Sequence, residues 1–476
     1  MSETTARATP ELKRTLGLRD LVLFNLVAVI GFTWMATAAK AGPSALTLWV
    51  LAAVLFFVPQ ALAVVELSSS YPEEGGIYAW TKREFSEGHG FLCGWCYWIN
   101  DVLYYPPLLL TTAVIAAYAV GQGANNPGDN WLYVFTFTLV ALWLAALLNV
   151  VGMQTGKWLQ NIGGMSSYLP ALVIIALGVV AAFRQPAANA FNLETLQPNL
   201  KDLPSLNLWA TIAFAYAGLE LSSTMGQEIE RPQRNLPRSI YIAAPLVALG
   251  YICGTGSLLW LVPKDELNII SGPFQAIAAG VGNLGAGLWW ISPAVAALIA
   301  VGRLGSLGAW LSGGARVAFV VGLDRYFPPA FGRLHPRWHT PHVPIFVQAA
   351  LATLCLLLAV LGKGTTVEKA FLILIDTSLL IYFIPYIYLF LCFIRHVRRK
   401  GPRLRVASLR VGKTTATAIG LCGLLVTLCA MCVAMIPPPE TTDPLVFEAK
   451  VVGGASLLVA FGGLIYRRGR RRESAQ

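Results

Sequence analysis

LRDLVLFNLVAVIGFTWMATAA (18–39) and NLWATIAFAYAGLELSSTMGQE (207–228) decide the fold. Each is long and apolar enough to enter a membrane yet carries a weak point. In the first, Gly31-Phe32-Thr33 and the small residues Ala36, Thr37, Ala38 and Ala39 interrupt a bulky aliphatic run, and Pro43 follows. In the second, Ala213 to Gly218 is small and aromatic, and Glu220 follows within the apolar stretch. Ten more apolar runs accompany them, at 45–69, 90–120, 130–151, 157–183, 236–262, 286–323, 342–362, 370–394, 414–436 and 447–466. The weak runs are the first and the sixth. Paired interruptions at equivalent places in two halves point to an inverted-repeat transporter whose ligand sits between broken helices. Close helix packing on Gly and Ala is the competing reading.

The 476-residue chain is 56% hydrophobic and 12% charged, where soluble domains carry about 25% charged residues. Crossing a hydrocarbon core takes about twenty apolar residues, so the twelve runs predict an all-α membrane protein with twelve transmembrane helices. Barrel strands would alternate polar and apolar residues over about ten positions. These runs do not alternate. No linker or composition shift marks a second soluble domain, and residues 271–285 read as a short external helix.

The net charge of +11 is distributed unevenly. Twenty-seven Lys/Arg fall on the side holding the N-terminus, seven (Lys40, Arg184, Lys201, Lys264, Lys363, Lys369, Lys450) on the other, and Arg303 within a run. The positive-inside rule then places both termini in the cytoplasm of a multi-pass plasma- or inner-membrane protein. The surplus reads as contact with anionic lipid and not nucleic acid. The polar first 19 residues show no cleavable signal peptide.

The eight cysteines lie almost entirely in apolar runs and read as small buried hydrophobes; Cys93-Gly94-Trp95-Cys96 lacks the βαβ setting of a redox motif. His335, His339 and His342 lie in a Pro- and Arg-rich loop without acidic or thiol partners, which reads as a structured loop and not a zinc site. Neither a cofactor nor a catalytic constellation is called for. An enzyme would need a nucleophile or metal cluster, and a channel a continuous polar stripe.

Five ionisable residues lie well inside runs: Glu66, Asp101, Glu220, Arg303 and Asp376. Each costs roughly 2.5 to 3.5 kcal/mol near the bilayer centre and asks for a partner or a function. Glu66, near a run's end, reads as structural, and Asp376 is undecided. Asp101, about 16 Å into its run at 1.5 Å per residue, is placed with Tyr104 and Tyr105 to bind an ammonium, or else to pair with Arg303 or a carbonyl. Glu220 is either a proton carrier or a clamp on frayed backbone. Arg303, among Gly302, Gly305 and Gly308, is a fixed cation that stands in for a coupling ion or pairs with Asp101 or Glu220.

Further motifs carry a family resemblance. Ala41-Gly42-Pro43, Glu66-Leu67, YPEEGGIYAW (71–80) and GFLCGWCYW (90–98) resemble, in order and spacing, the first three helices of the amino acid, polyamine and organocation transporters. FAYAGLE (214–220) with QEIERPQRNLPRSI (227–240), and GGARVAFVVGLDRYFPPAFGRLHPRWHTPH (313–342), are similar to that family's sixth helix and to the loop after its eighth. The likeness covers roughly 15–400. It implies a LeuT-like core at 18–400, built of inverted five-helix repeats at about 18–183 and 207–394. A cytoplasmic tail at 1–17, two peripheral helices at 401–466 and a basic tail at 467–476 complete the chain.

The implied activity is alternating-access transport of an amino acid or related amine, proton-coupled or by exchange. The resemblance places a substrate carboxylate on the backbone at Val29, Ile30, Gly31, Phe32 and Thr33, and an ammonium at Ala215, Tyr216, Ala217 and Gly218. Phe214 matches the family's aromatic gate and Glu220 its helix-six glutamate. The family's Gly-Ser-Gly in helix one is replaced here by Val29 to Thr33, and a helix-five lysine of some members by Ser167. Arg303, or Ser167 with Ser306, then takes the coupling role. Asp101 with Tyr105-Pro106 looks similar to plant polyamine permeases, which moves weight toward a cationic or decarboxylated amine. The sequence assigns no oligomeric state.

Overall fold

A chain in lipid satisfies every peptide group internally, and a helix does so within one segment. A computed structural model describes Leu12, Gly128 and residues 14–121, 130–199, 203–282, 286–361, 367–399, 403–406, 409–436 and 444–473. The first half comprises α1 (Leu18–Val29), α2 (Phe32–Ala39), α3 (Ser44–Ala52), α4 (Val58–Ser70), α5 (Ile77–Glu84), α6 (Glu87–Ala119), α7 (Trp131–Val151), α8 (Met153–Ala182) and the one-turn α9 (Leu193–Leu196). The second comprises α10 (Leu203–Ala215), α11 (Pro232–Leu261), α12 (Gly272–Gly282), α13 (Ile291–Leu323), α14 (His342–Leu361), α15 (Val367–Arg399), α16 (Lys413–Val433) and α17 (Pro444–Glu473). A π-helical turn, Ala53–Phe57, joins α3 to α4.

Ten helical segments among the described residues are long and apolar enough to cross a membrane, counting α1 with α2 and α3 with α4 as one each. The 20-residue α14 and the 13-residue α10 lie over the ninth and sixth apolar runs. The protein is thus a multi-pass helical membrane protein. Its irregularly exposed aliphatics, among them Val54, Leu144, Leu172 and Leu425, suit a lipid-facing belt.

Burial separates the centre from the rim. The apolar windows of the first and tenth runs are each 83% buried, against 33% for α16 and 17% for Glu448–Arg471. These last two lean on α15 and α6: Gly423 packs on the Phe390 ring, and Trp95 Nε1 donates to the Leu458 carbonyl at 2.9 Å.

The sequence did not anticipate α5, an eight-residue amphipathic helix whose two basic residues disguise a buried face of Ile77, Tyr78, Trp80 and Thr81. Nor did it anticipate the antiparallel hairpin pairing Arg403–Val406 with Leu409–Gly412. The external helix is present as α12, where Phe274 stacks on Tyr118 with centroids 4.8 Å apart; residues 283–285 lie outside the described residues. So do Lys201, Lys363 and residues 1–11 and 474–476 of the tails.

Cys93 and Cys96 are buried and free. The histidine loop is ordered by its own contacts: His335 stacks on Trp338, and its Nδ1 accepts the Arg337 N–H at 3.2 Å.

Candidate functional site

Ile30 and Gly31 are extended, so α1 stops at Val29 and α2 begins afresh at Phe32. A Cβ on Gly31 would stand 2.6 Å from the Trp34 ring, so only glycine permits this approach. In the sixth run the α-helix stops at Ala215, residues 216–218 are irregular, and a 3-10 turn, Leu219–Thr224, follows. Gly218 holds φ at 120°, a region other residues rarely adopt.

One side chain pins the two interruptions together. The Tyr251 hydroxyl of α11 accepts the Gly31 N–H at 3.1 Å and donates to the carbonyls of Val29 and Ala215. Trp310 Nε1 donates to the Ala28 carbonyl at 3.1 Å, and Tyr386 accepts the Gly218 N–H at 2.9 Å. Several peptide groups freed by the breaks are therefore held by side chains in this conformation.

Between the breaks lies a small, partly open cavity of about 20 Å3. Ala28 and Val29 come from the end of α1, Trp34 from α2, Asn100 and Tyr104 from α6, and Phe214, Ala215 and Ala217 from the second break. Trp310 of α13 and Tyr382 of α15 complete it. Its five rings form an edge-to-face chain, Trp34–Phe214–Tyr382–Trp310–Tyr104, with centroids 5.5, 5.6, 5.9 and 5.7 Å apart. Such a wall offers π-faces to a cation.

Of the residues singled out in the sequence, Val29, Phe214, Ala215 and Ala217 line the cavity. Ile30, Gly31, Phe32 and Thr33 form the first break without lining it, Gly218 touches Val29 and Trp310 from behind, and Tyr216 packs away against Trp49 and Phe57. From α6 the cavity takes Asn100 and Tyr104, not Asp101 and Tyr105, because one residue along a helix turns a side chain by about 100°. Asp101 is fully buried against Gly314 instead. Trp34, Asn100, Trp310, Tyr382, Tyr386 and Tyr251 were missed by sequence reasoning. The spacing of Tyr382 and Tyr386, four apart on one helix face, was the available signal.

Glu220 is the hub beneath this cavity. Its Oε1 accepts from Tyr97 (3.2 Å) and Tyr382, and its Oε2 from Gln60 (3.1 Å), the Gly218 N–H (3.3 Å) and Tyr386. Five donors from the second, third, sixth and tenth runs thus converge on one carboxylate that ties down the second break.

Arg303 pairs with neither Asp101 nor Glu220. Its guanidinium donates to Thr33 of α2 at 2.8 Å and to Thr111 and the Leu108 carbonyl of α6, the latter at 3.3 Å. Ser167 of α8 packs on Gly302, one helical turn from Ser306 on the same face. Glu66 is paired with His396 at 3.2 Å, and Asp376 is buried in α15.

On the side bearing the N-terminus a second polar layer closes the molecule. Arg316 of α13 meets Glu228 in a two-pronged ion pair at 2.9 and 3.0 Å, the arginine 1% exposed. The Thr15 and Leu16 N–H groups donate to the Glu228 carbonyl, and Glu74 Oε2 accepts the Gln227 N–H at 2.9 Å. Asp324 joins Lys82 at 2.7 Å and also accepts from Tyr78.

Burial, reinforced by the neighbouring Glu228 and opposed by Arg316, raises the Glu74 carboxyl to about 8. The folded protein then keeps this proton where the unfolded chain has lost it. The resulting stability is complete below the ordinary value of 4.5 and is lost as pH rises through about 8. The decline is up to about 1.4 kcal/mol per pH unit. Melting of the detergent-solubilised protein should fall between about pH 5 and 8 in the wild type and flatten in Glu74→Gln. Parallel declines in both would refute the assignment.

A family model described as amino acid permease matches residues 16–455, which include both breaks, the cavity and the polar layer. An uncharacterized transporter of Legionella pneumophila is 28% identical over 450 residues, 94% of this chain and 95% of that protein. A probable agmatine/putrescine antiporter of Lactococcus lactis is 24% identical over 459 residues, 96% and 95% of the two chains. A glutamate/gamma-aminobutyrate antiporter of the same species is 24% identical over 396 residues, 82% and 77%. The chain belongs to the amino acid permease family of membrane transporters.

Proposed function

We propose that this permease exchanges small organic amines across a plasma or bacterial inner membrane by alternating access, with both termini in the cytoplasm. The observation that carries the reading is the aromatic cavity between the two interrupted helices. Twelve spans in two inverted five-helix halves, about 18–183 and 207–394, with two peripheral spans at 401–466, account for the helix order. The first, second, sixth and seventh spans would rock against the third, fourth, eighth and ninth.

The favoured substrate is a cationic or decarboxylated amine. Among the described residues no carboxylate lines the cavity, so recognition falls to the π-faces of Trp34, Tyr104, Phe214, Trp310 and Tyr382, with Asn100 as the polar contact. The agmatine/putrescine antiporter among the relatives supports the same class. Ordinary amino acids are the second reading, supported by the glutamate/gamma-aminobutyrate antiporter.

Counter-flow of labelled agmatine, putrescine, glutamate and gamma-aminobutyrate in proteoliposomes tests this. Uptake of the cationic amines should exceed that of the amino acids, and Trp310→Leu should weaken it about tenfold through a lost cation–π contact of about 1 to 2 kcal/mol. Absence of uptake for all four substrates would sink the reading.

A further inference from the structure

Asp101 is buried to 0% exposure between α6, α13 and α14, off the cavity yet next to it in sequence. Its Oδ1 receives one long bond, 3.4 Å from Asn100 Nδ2. Its Oδ2 has no hydrogen-bond partner. A Cβ built on Gly314 would stand 2.0 Å from that oxygen and 2.6 Å from Gln348 Nε2, so the Asp101 carboxyl and the Gln348 amide meet over one glycine. Gln348 Nε2 donates to Tyr105 at 3.1 Å, and Gln348 Oε1 is likewise buried without a partner.

Neither Asp101 Oδ2 nor Gln348 Oε1 receives a hydrogen bond, and the Gln348 atom set beside Oδ2 is Nε2, whose bond goes to Tyr105. An ionised Asp101 would leave both unsatisfied, with no salt bridge to it among the described residues. A neutral carboxylic acid removes the buried charge.

Among the described residues the surrounding elements hold no compensating cation. Tyr97, Tyr104 and Tyr105 lie on its own helix, Ser378 and Tyr382 on α15, and Gln348 on α14. Glu220, which acts on Asp101 electrostatically, bears the same sign. Arg316, two residues beyond Gly314, is committed to Glu228, and Arg303 to Thr33, Thr111 and the Leu108 carbonyl.

The cavity is one side chain away. Asn100 lines it, accepts from Ser378 at 2.6 Å and donates to Asp101. A cation in the cavity and a proton on Asp101 therefore oppose one another through Asn100.

We propose that Asp101 is a proton-binding site, occupied in the empty carrier and emptied when a cationic amine enters the neighbouring cavity. The inference rests on the exchange reading for its amine and makes the protein a proton/amine antiporter. It moves Asp101 from substrate contact to coupling. Binding an ammonium beside Asn100 favours the carboxylate, the proton leaves, and its return after substrate release resets the carrier.

The purified full-length chain in nanodiscs at neutral pH tests both parts. Infrared spectra of the amine-free wild type should carry the C=O stretch of a protonated carboxylic acid that Asp101→Asn lacks. Adding agmatine or putrescine in weak buffer with a pH indicator should release protons, at least about threefold fewer from Asp101→Asn. A wild type without that band, or equal release from both proteins, overturns the proposal. If calorimetry shows neither amine binding, the exchange reading fails for them and the band alone decides the proton site. Should Asp101→Asn not fold, Gln348→Leu serves: stripping the polar amide from beside the carboxyl should shift the band upward, and an unmoved band overturns the proposal.

Discussion

Glu220→Gln should lower exchange by about a hundredfold or more while the protein still reaches the membrane, because the site is built for an acceptor with no hydrogen of its own. The carboxylate takes donors on both oxygens, and two of them, the Gly218 N–H and Gln60 Nε2, cannot reverse their roles. A glutamine presents an NH2 to one side of this ring of donors. On the Oε2 side that NH2 faces Gln60 and Gly218, donor against donor; on the Oε1 side Tyr97 and Tyr382 must turn to accept and lose the acceptor of their own hydrogens, and each buried polar group left unsatisfied costs about 1 to 3 kcal/mol. The loss falls on the second break, since the Gly218 N–H bonds to Glu220 and Tyr386. A loosened break moves Phe214, Ala215 and Ala217, three walls of the cavity. Tyr386→Phe removes the hydroxyl that bonds Gly218 and Gln60 but leaves the other donors in place, so about a tenfold loss is expected. Counter-flow rates normalised to membrane protein check both; wild-type exchange in Glu220→Gln would show that the hub has no part in transport.

The breaks were legible because their composition departs from that of a lipid-spanning helix: Gly31-Phe32-Thr33 and Ala213 to Gly218 are small or aromatic where neighbours are bulky and aliphatic. The cavity residues within those breaks, Val29, Phe214, Ala215 and Ala217, came with them. The rest of the wall was hidden. Trp310 and Tyr382 look like packing residues in apolar runs, and only tertiary contact brings them to the breaks. On α6 the charge of Asp101 drew attention one position past Asn100, and a single sequence carries no information on a 100° choice of helix face when both faces are buried. The polar layer was hidden for a different reason. Glu228 and Arg316 are 88 residues apart and each reads alone as a residue near the end of an apolar run.

That pair sets the second large expected effect. Arg316→Ala should destabilise the protein by about 3 to 5 kcal/mol, because it strands Glu228 as a buried, unpaired carboxylate. Besides both Glu228 oxygens, Arg316 holds the Ser312 carbonyl at 2.8 Å, so its removal also frees a turn of α13. Glu228→Gln keeps the shape and leaves an unpaired guanidinium of the same burial, and should cost a similar amount. Arg316→Met combined with Glu228→Gln removes both charges and should recover much of the loss, since two desolvated ions bought with one Coulombic contact are often no more stable than their neutral replacements. The recovery separates electrostatics from packing: a double variant as unstable as Arg316→Ala would place the cost in lost volume. The same double variant reports on mechanism. A carrier that opens toward its N-terminal side has to part Arg316 on α13 from Glu228 beside α11, along with the Leu16 to Glu230 backbone pairing. Without the ion pair that parting is easier. A cysteine placed at cavity residue Ala28 should then react faster with a thiol reagent supplied from that side, and an unchanged rate would mean the layer braces the fold without gating the path.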